Sequence, residues 1–90
     1  MIPPQLHPFF WDIDLRSFEP QSYPEYTIGR ILEYGNGEAV IWMRKNFESE
    51  AIVAALCSDR RLSRRSARFW ALVYSIPPEE VASLRQTGKQ

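Results

Sequence analysis

"LSRRSARFWALVYSIPP", Leu62–Pro78, holds the start, the face and the stop of one helix. Ser63 is a residue type that caps helix N-termini, because its hydroxyl accepts from an otherwise unpaired backbone N–H. Phe69, Trp70, Val73 and Ile76 recur at helical spacing and predict an inward stripe, with Phe69 and Trp70 as core anchors. Pro77 cannot continue the hydrogen-bond ladder and predicts the end. Working upstream, the same signals repeat. A helix is predicted from near Ser49 through Ile52, Ala55 and Leu56. Asn36 caps another, with Val40, Ile41, Met43 and Phe47 as apolar contacts. Pro24 and Glu25 open a third, with Ile28, Ile31 and Leu32 at i, i+3, i+4, and Gly35 reads as a left-handed stop. Downstream, Glu79 and Glu80 begin a short last helix, with Val81 and Leu84 turned inward.

The N-terminal end differs. Residues 1–8 contain three prolines and predict a flexible segment without regular structure. In "FFWDIDLR", Phe9, Trp11, Ile13 and Leu15 alternate with polar Asp12, Asp14 and Arg16, which predicts an extended arm over residues 9–16. With no second strand pattern in the chain, that arm must lie on helices or pair with another chain. The fold class is therefore all-α: a compact bundle of about five short helices, helix-turn-helix-like, with an extended N-terminal arm. A single domain spans 9–86, and 87–90 reads as a disordered tail.

Ninety residues suffice for one core, and the 44% apolar content includes three Trp, four Tyr and five Phe to fill it. A chain of this size buries roughly 60% of its unfolded surface. No apolar run approaches the roughly 20 residues that span a bilayer. The start lacks the basic-then-apolar pattern of a signal peptide. The single cysteine, Cys57, closes no internal disulfide and supplies no zinc cluster. These features predict a cytoplasmic protein without a membrane span.

Net charge is zero, but its distribution is uneven. Through Asp59 there are nine acidic residues against four basic ones, and the five arginines between 60 and 68 offset the difference. With Ser63 as cap, Arg61, Arg64, Arg65 and Arg68 fall at i, i+3, i+4, i+7 and project from one side, next to Arg60. In helix-turn-helix proteins the N-terminal part of the second helix meets bases and phosphates. Here the turn glycine is missing, with Arg61 near its place, Ala67 replaces a larger aliphatic, and Cys57 stands where Ala is usual. Three readings stay open for the cluster: a solvated face paired with the chain's own carboxylates, a contact for an acidic protein, or a DNA or RNA grip. Phe9, Phe10 and Trp11 either pack on the chain's own helices or reach a partner, and a homodimer stays open as well.

Catalytic and metal chemistry find little support. His7 lies in the proline-rich start, and Cys57 falls on a helix beside apolar Leu56, with no oriented base in view. Asp12 and Asp14 share one side of the arm, but a hard-cation site needs more oxygen ligands. Gly35 and Gly37 punctuate helices and form no phosphate loop. The expectation is a non-catalytic binding protein with no cofactor and no metal.

Three segments, "FFWDIDL" from Phe9, "IGRILEYGNGEAVIWM" from Ile28 and "LSRRSARFWALVYSI" from Leu62, carry a family resemblance. Together the chain resembles a family of small uncharacterised bacterial proteins encoded beside nucleotidyltransferase-like toxins. The resemblance implies an antitoxin-like or regulatory role with a toxin-like protein as partner; it carries over no functional residues.

Overall fold

The computed structural model describes residues 2–85, and the tail expected at 87–90 lies outside them. Among the described residues the α-helices are α1 (Pro24–Tyr34), α2 (Gly37–Asn46), α3 (Ser49–Ser58), α4 (Arg64–Val73) and α5 (Ala82–Arg85), and no strand is present. The chain is all-α. Central α1 packs against α2, α3 and α4, and α5 closes onto α3 and α4. Ile28, Ile31, Met43, Ile52, Leu56 and Val81 meet in the buried core. No helix among the described residues is long and apolar enough to cross a membrane.

Several helix ends form as their sequences dictate. Asn36 Oδ1 accepts from Ala39 N at 3.0 Å and caps α2, and Ser63 Oγ accepts from Ser66 N at 3.1 Å and caps α4. Each bond satisfies one of the N–H groups a helix start leaves without a partner. Pro24 sits in the first turn of α1, where its missing N–H matters least.

Other expectations are corrected. Residues 4–10 form a 3-10 helix, Pro4–Phe10, instead of an irregular segment running into an extended arm. Ile2, Leu6 and Phe10 recur every fourth residue and are buried, a helical spacing hidden beneath the alternation that follows. Residues 11–17 continue mostly as turns. A lone strand would leave its ladder groups unpaired, whereas tight local turns bond within themselves.

Gly35 is extended (φ −72°, ψ 160°) and not left-handed. Glycine is needed there for space: an added Cβ would come within 2.7 Å of Ile31 O and 3.1 Å of Ala39 Cβ. Helix α4 stops before Pro77. Ser75 takes a positive φ of 57°, its N–H reaches Leu72 O (3.2 Å), and Ile76 N reaches Ala71 O (2.8 Å). This is a Schellman closure with serine in the usual glycine place. The last helix splits into a 3-10 turn, Pro78–Glu80, and α5, with Val81 buried between them.

Candidate functional site: the outer face of α4

The C-terminal end of α1 holds α4 in place. Trp70 Nε1 donates to Leu32 O at 2.9 Å, one of the carbonyls the end of α1 leaves open. A buried indole N–H without such a partner would cost about 1–3 kcal/mol. Ser63 N donates to Glu33 Oε1 at 2.8 Å. A capping box takes its acidic residue from the third helical position, and here a side chain from α1 replaces it. That carboxylate also offsets part of the dipole cost of placing Arg64 and Arg65 in the first turn, about 0.3–1 kcal/mol. Tyr74 stacks on Trp70, with ring centroids 6.2 Å apart, and meets Arg44 of α2.

Ala67, Trp70 and Ala71 face inward. The predicted stripe is therefore rotated: Phe69 is 56% exposed, Val73 43%, and Leu72 80%. Phe69 is not a core anchor, because bulky Trp70 with two alanines brings α4 close to α1 and turns position 69 outward. Arg65, Arg68, Phe69, Leu72 and Val73 fall at i, i+3, i+4, i+7, i+8, a single outward stripe. Ile41, expected inside α2, is likewise exposed.

The five arginines do not act as one cluster. Arg61 lies in the turn before α4, where its backbone N (2.8 Å) and Nε (3.3 Å) both donate to Asp59 Oδ1. Asp59 is nearly buried, its side chain 7% exposed. Arg60 lies on the same turn and lines a shallow cleft with Glu25 and Asp59. Arg64, Arg65 and Arg68 are exposed on α4 and, among the described residues, make no ion pair or hydrogen bond. Self-pairing thus accounts for Arg61 and leaves the helical arginines free.

The aromatic trio is also divided. Phe10 is core, and Phe9 is half-buried against it. Trp11 is exposed but covered on one face by Arg30, whose guanidinium lies 4.2 Å from the ring centroid, and it meets Tyr34 edge-on at 5.1 Å. Phe10 is therefore no surface anchor for a partner.

Sequence reasoning missed the polar cluster around Arg30. Arg30 pairs with Asp12 and donates from Nε to the Tyr26 hydroxyl at 3.2 Å, while that hydroxyl donates to Asp12 Oδ1 at 2.6 Å. The hydrogen bond from Tyr26, then that from Arg30, holds the Asp12 carboxyl below its usual range. Asp12 and Asp14 take separate partners: Asp14 is engaged by Arg16. A cleft of about 190 Å³ lies beside this cluster, between α1 and the turn before α4. Its charged groups, Asp12, Arg30, Glu33, Asp59 and Arg61, are all engaged within the chain. His7 Nε2 lies 3.2 Å from Ile2 O, and burial, then Glu80, pushes the Cys57 thiol up, away from a reactive thiolate. Among the described residues no group of three or more His, Cys, Asp or Glu gathers as metal ligands.

A family model, "Family of unknown function (DUF6922)", matches residues 6–56. The matched span holds Asp12, Tyr26, Arg30 and the α1 surface that carries α4, and it ends before Arg60. No curated protein and no solved structure matches the chain.

Proposed function

The chain belongs to this family of unknown function, and from that premise we propose that it is a non-catalytic protein-interaction module whose outer α4 face receives an acidic protein partner. The observation that carries this reading is one stripe combining Arg65 and Arg68, unpaired among the described residues, with exposed Phe69, Leu72 and Val73. Arginine and aromatic side chains together are the usual composition of a protein contact. Phosphates would gain nothing from the apolar half of the stripe. The setting is a bacterial cytoplasm, and the family resemblance makes a nucleotidyltransferase-like toxin encoded nearby the first partner to test, with the chain in an antitoxin-like or regulatory role.

The test is coexpression with the adjacent gene product, comparing the natural chain with Arg64→Glu/Arg65→Glu/Arg68→Glu. A stable complex lost on charge reversal is expected; recovery of only the free, folded proteins overturns the reading.

A helix-turn-helix-like DNA regulator is the second reading, supported by the position of Arg64, Arg65 and Arg68 in the N-terminal half of the second of two helices joined by residues 59–63. It requires steeply salt-dependent duplex binding, since each phosphate contact releases counterions. Duplex affinity that ignores salt and the triple substitution removes it.

A further inference from the structure

We propose that the groove between α4 and α5 seats an acidic amphipathic α-helix of the protein partner, an inference that rests on the protein-binding reading above. The groove, about 230 Å³, is lined by Arg68, Leu72, Ile76, Pro78 and Leu84 among others. Leu72 and Arg68 belong both to this groove and to the outward stripe of α4, so the two surfaces are continuous. Among the described residues no acidic side chain lines the groove, while Arg64 and Arg65 extend its basic end along α4 and exposed Arg85 follows Leu84 on α5. An occupant therefore needs apolar side chains toward Leu72 and Ile76 and carboxylates toward the arginines.

Backbone chemistry selects the helix. Among the described residues there is no strand edge to extend, and the helical backbone of α4 is hydrogen-bonded within itself. An extended peptide lying on Leu72, Ile76 and Leu84 would turn part of its N–H and C=O groups onto that apolar floor, where they lose water and gain no partner, at about 1–3 kcal/mol for each group so buried. A helix satisfies them internally and offers anchors at i, i+3, i+4 and i+7. The stretch from Phe69 to Val73 rises about 6 Å, so two to three turns of a partner helix cover it and the adjoining groove.

The experiment titrates the intact chain with end-blocked peptides of about four turns and reads fluorescence anisotropy. One carries leucines at i, i+3, i+4 and i+7 with glutamates elsewhere; the second has two central prolines; the third replaces glutamate by lysine. The acidic helical peptide is expected to bind, and to lose about tenfold or more in affinity on Leu72→Glu or on Arg65→Glu/Arg68→Glu. Circular dichroism checks that these exposed substitutions leave the chain folded. Equal binding of the proline peptide overturns the helical occupant and leaves the acidic-partner reading standing. Equal binding of the lysine peptide overturns both. Binding of none of the three overturns the groove proposal, and the coexpression result then decides the broader reading separately.

Discussion

The guanidinium of Arg30 lies 4.2 Å from the ring centroid of Trp11 and pairs with the carboxylate of Asp12, so one α1 side chain grips two successive residues of the N-terminal segment. Arg30 is only 16% exposed, and Tyr26 completes its surroundings through a hydrogen bond. Neither element is held by a strand pairing, so this latch supplements the burial of Leu6 and Phe10 in fixing the segment to α1.

Arg30→Ala is expected to lower unfolding free energy by ~1–2 kcal/mol, from the lost cation–π contact and hydrogen bonds. Lysine should recover only part, because a single ammonium cannot lie on an indole and fork to a carboxylate together. Denaturant unfolding followed by tryptophan fluorescence measures both, and an unchanged midpoint for the alanine variant would show the latch to be idle.

Acid should loosen the same latch. The Asp12 carboxyl is held down by Tyr26 and Arg30, and that of Asp14 by Arg16. A depressed folded-state value contributes stability above the ordinary aspartate value, about 3.9, and loses it as pH falls through the folded one. The stability gap between the natural chain and Asp12→Asn should therefore be widest near neutrality and shrink below about pH 4. Denaturant midpoints across that range decide it; a gap that widens in acid contradicts the pairing.

Two glycines should respond in opposite directions. A Cβ on Gly29 would sit 2.5 Å from Asp59 Oδ2, and Asp59 is already tied to the Arg61 turn. Gly29→Ala is expected to cost ~1–3 kcal/mol through overpacking. Gly37 opens α2 with nothing within 4 Å of its added Cβ, and Gly37→Ala should gain ~0.4–1 kcal/mol by restricting the unfolded chain. Thermal unfolding of the two variants separates a space requirement from simple backbone freedom.

The ends of α4 make a second pair. Ser63→Ala removes the acceptor for Ser66 N and should cost about 1 kcal/mol. Ser75→Gly should stabilise by ~1 kcal/mol, because the left-handed conformation is costly for a residue with a Cβ. Loss of stability in the glycine variant would mean that the serine side chain has a role the backbone geometry does not reveal.

The helix starts were legible because capping is local: Asn36 and Ser63 each bond a backbone group three residues away. The N-terminal segment was misread because its buried set, Ile2, Leu6 and Phe10, straddles the point where an alternating pattern begins. Trp11 and Asp12 took their roles from Arg30 on another helix, a partner that no spacing in the chain announces. The arginine run was visible as composition, but its division between Asp59 and solvent depended on the turn at 59–63.

By itself the sequence determined the all-α class, the N-caps Asn36 and Ser63 and the starts of most helices, since these follow from bonds and steric limits within a few residues. Only the tertiary structure decided which face of α4 is free. Trp70 reaches Leu32 O across 38 positions, and Glu33 meets Ser63 N across 30. Those distant bonds fix the rotation of α4, and the rotation leaves Arg65, Arg68, Phe69, Leu72 and Val73 on the outside. An amphipathic pattern with two apolar faces does not choose between them; the surface it packs against does.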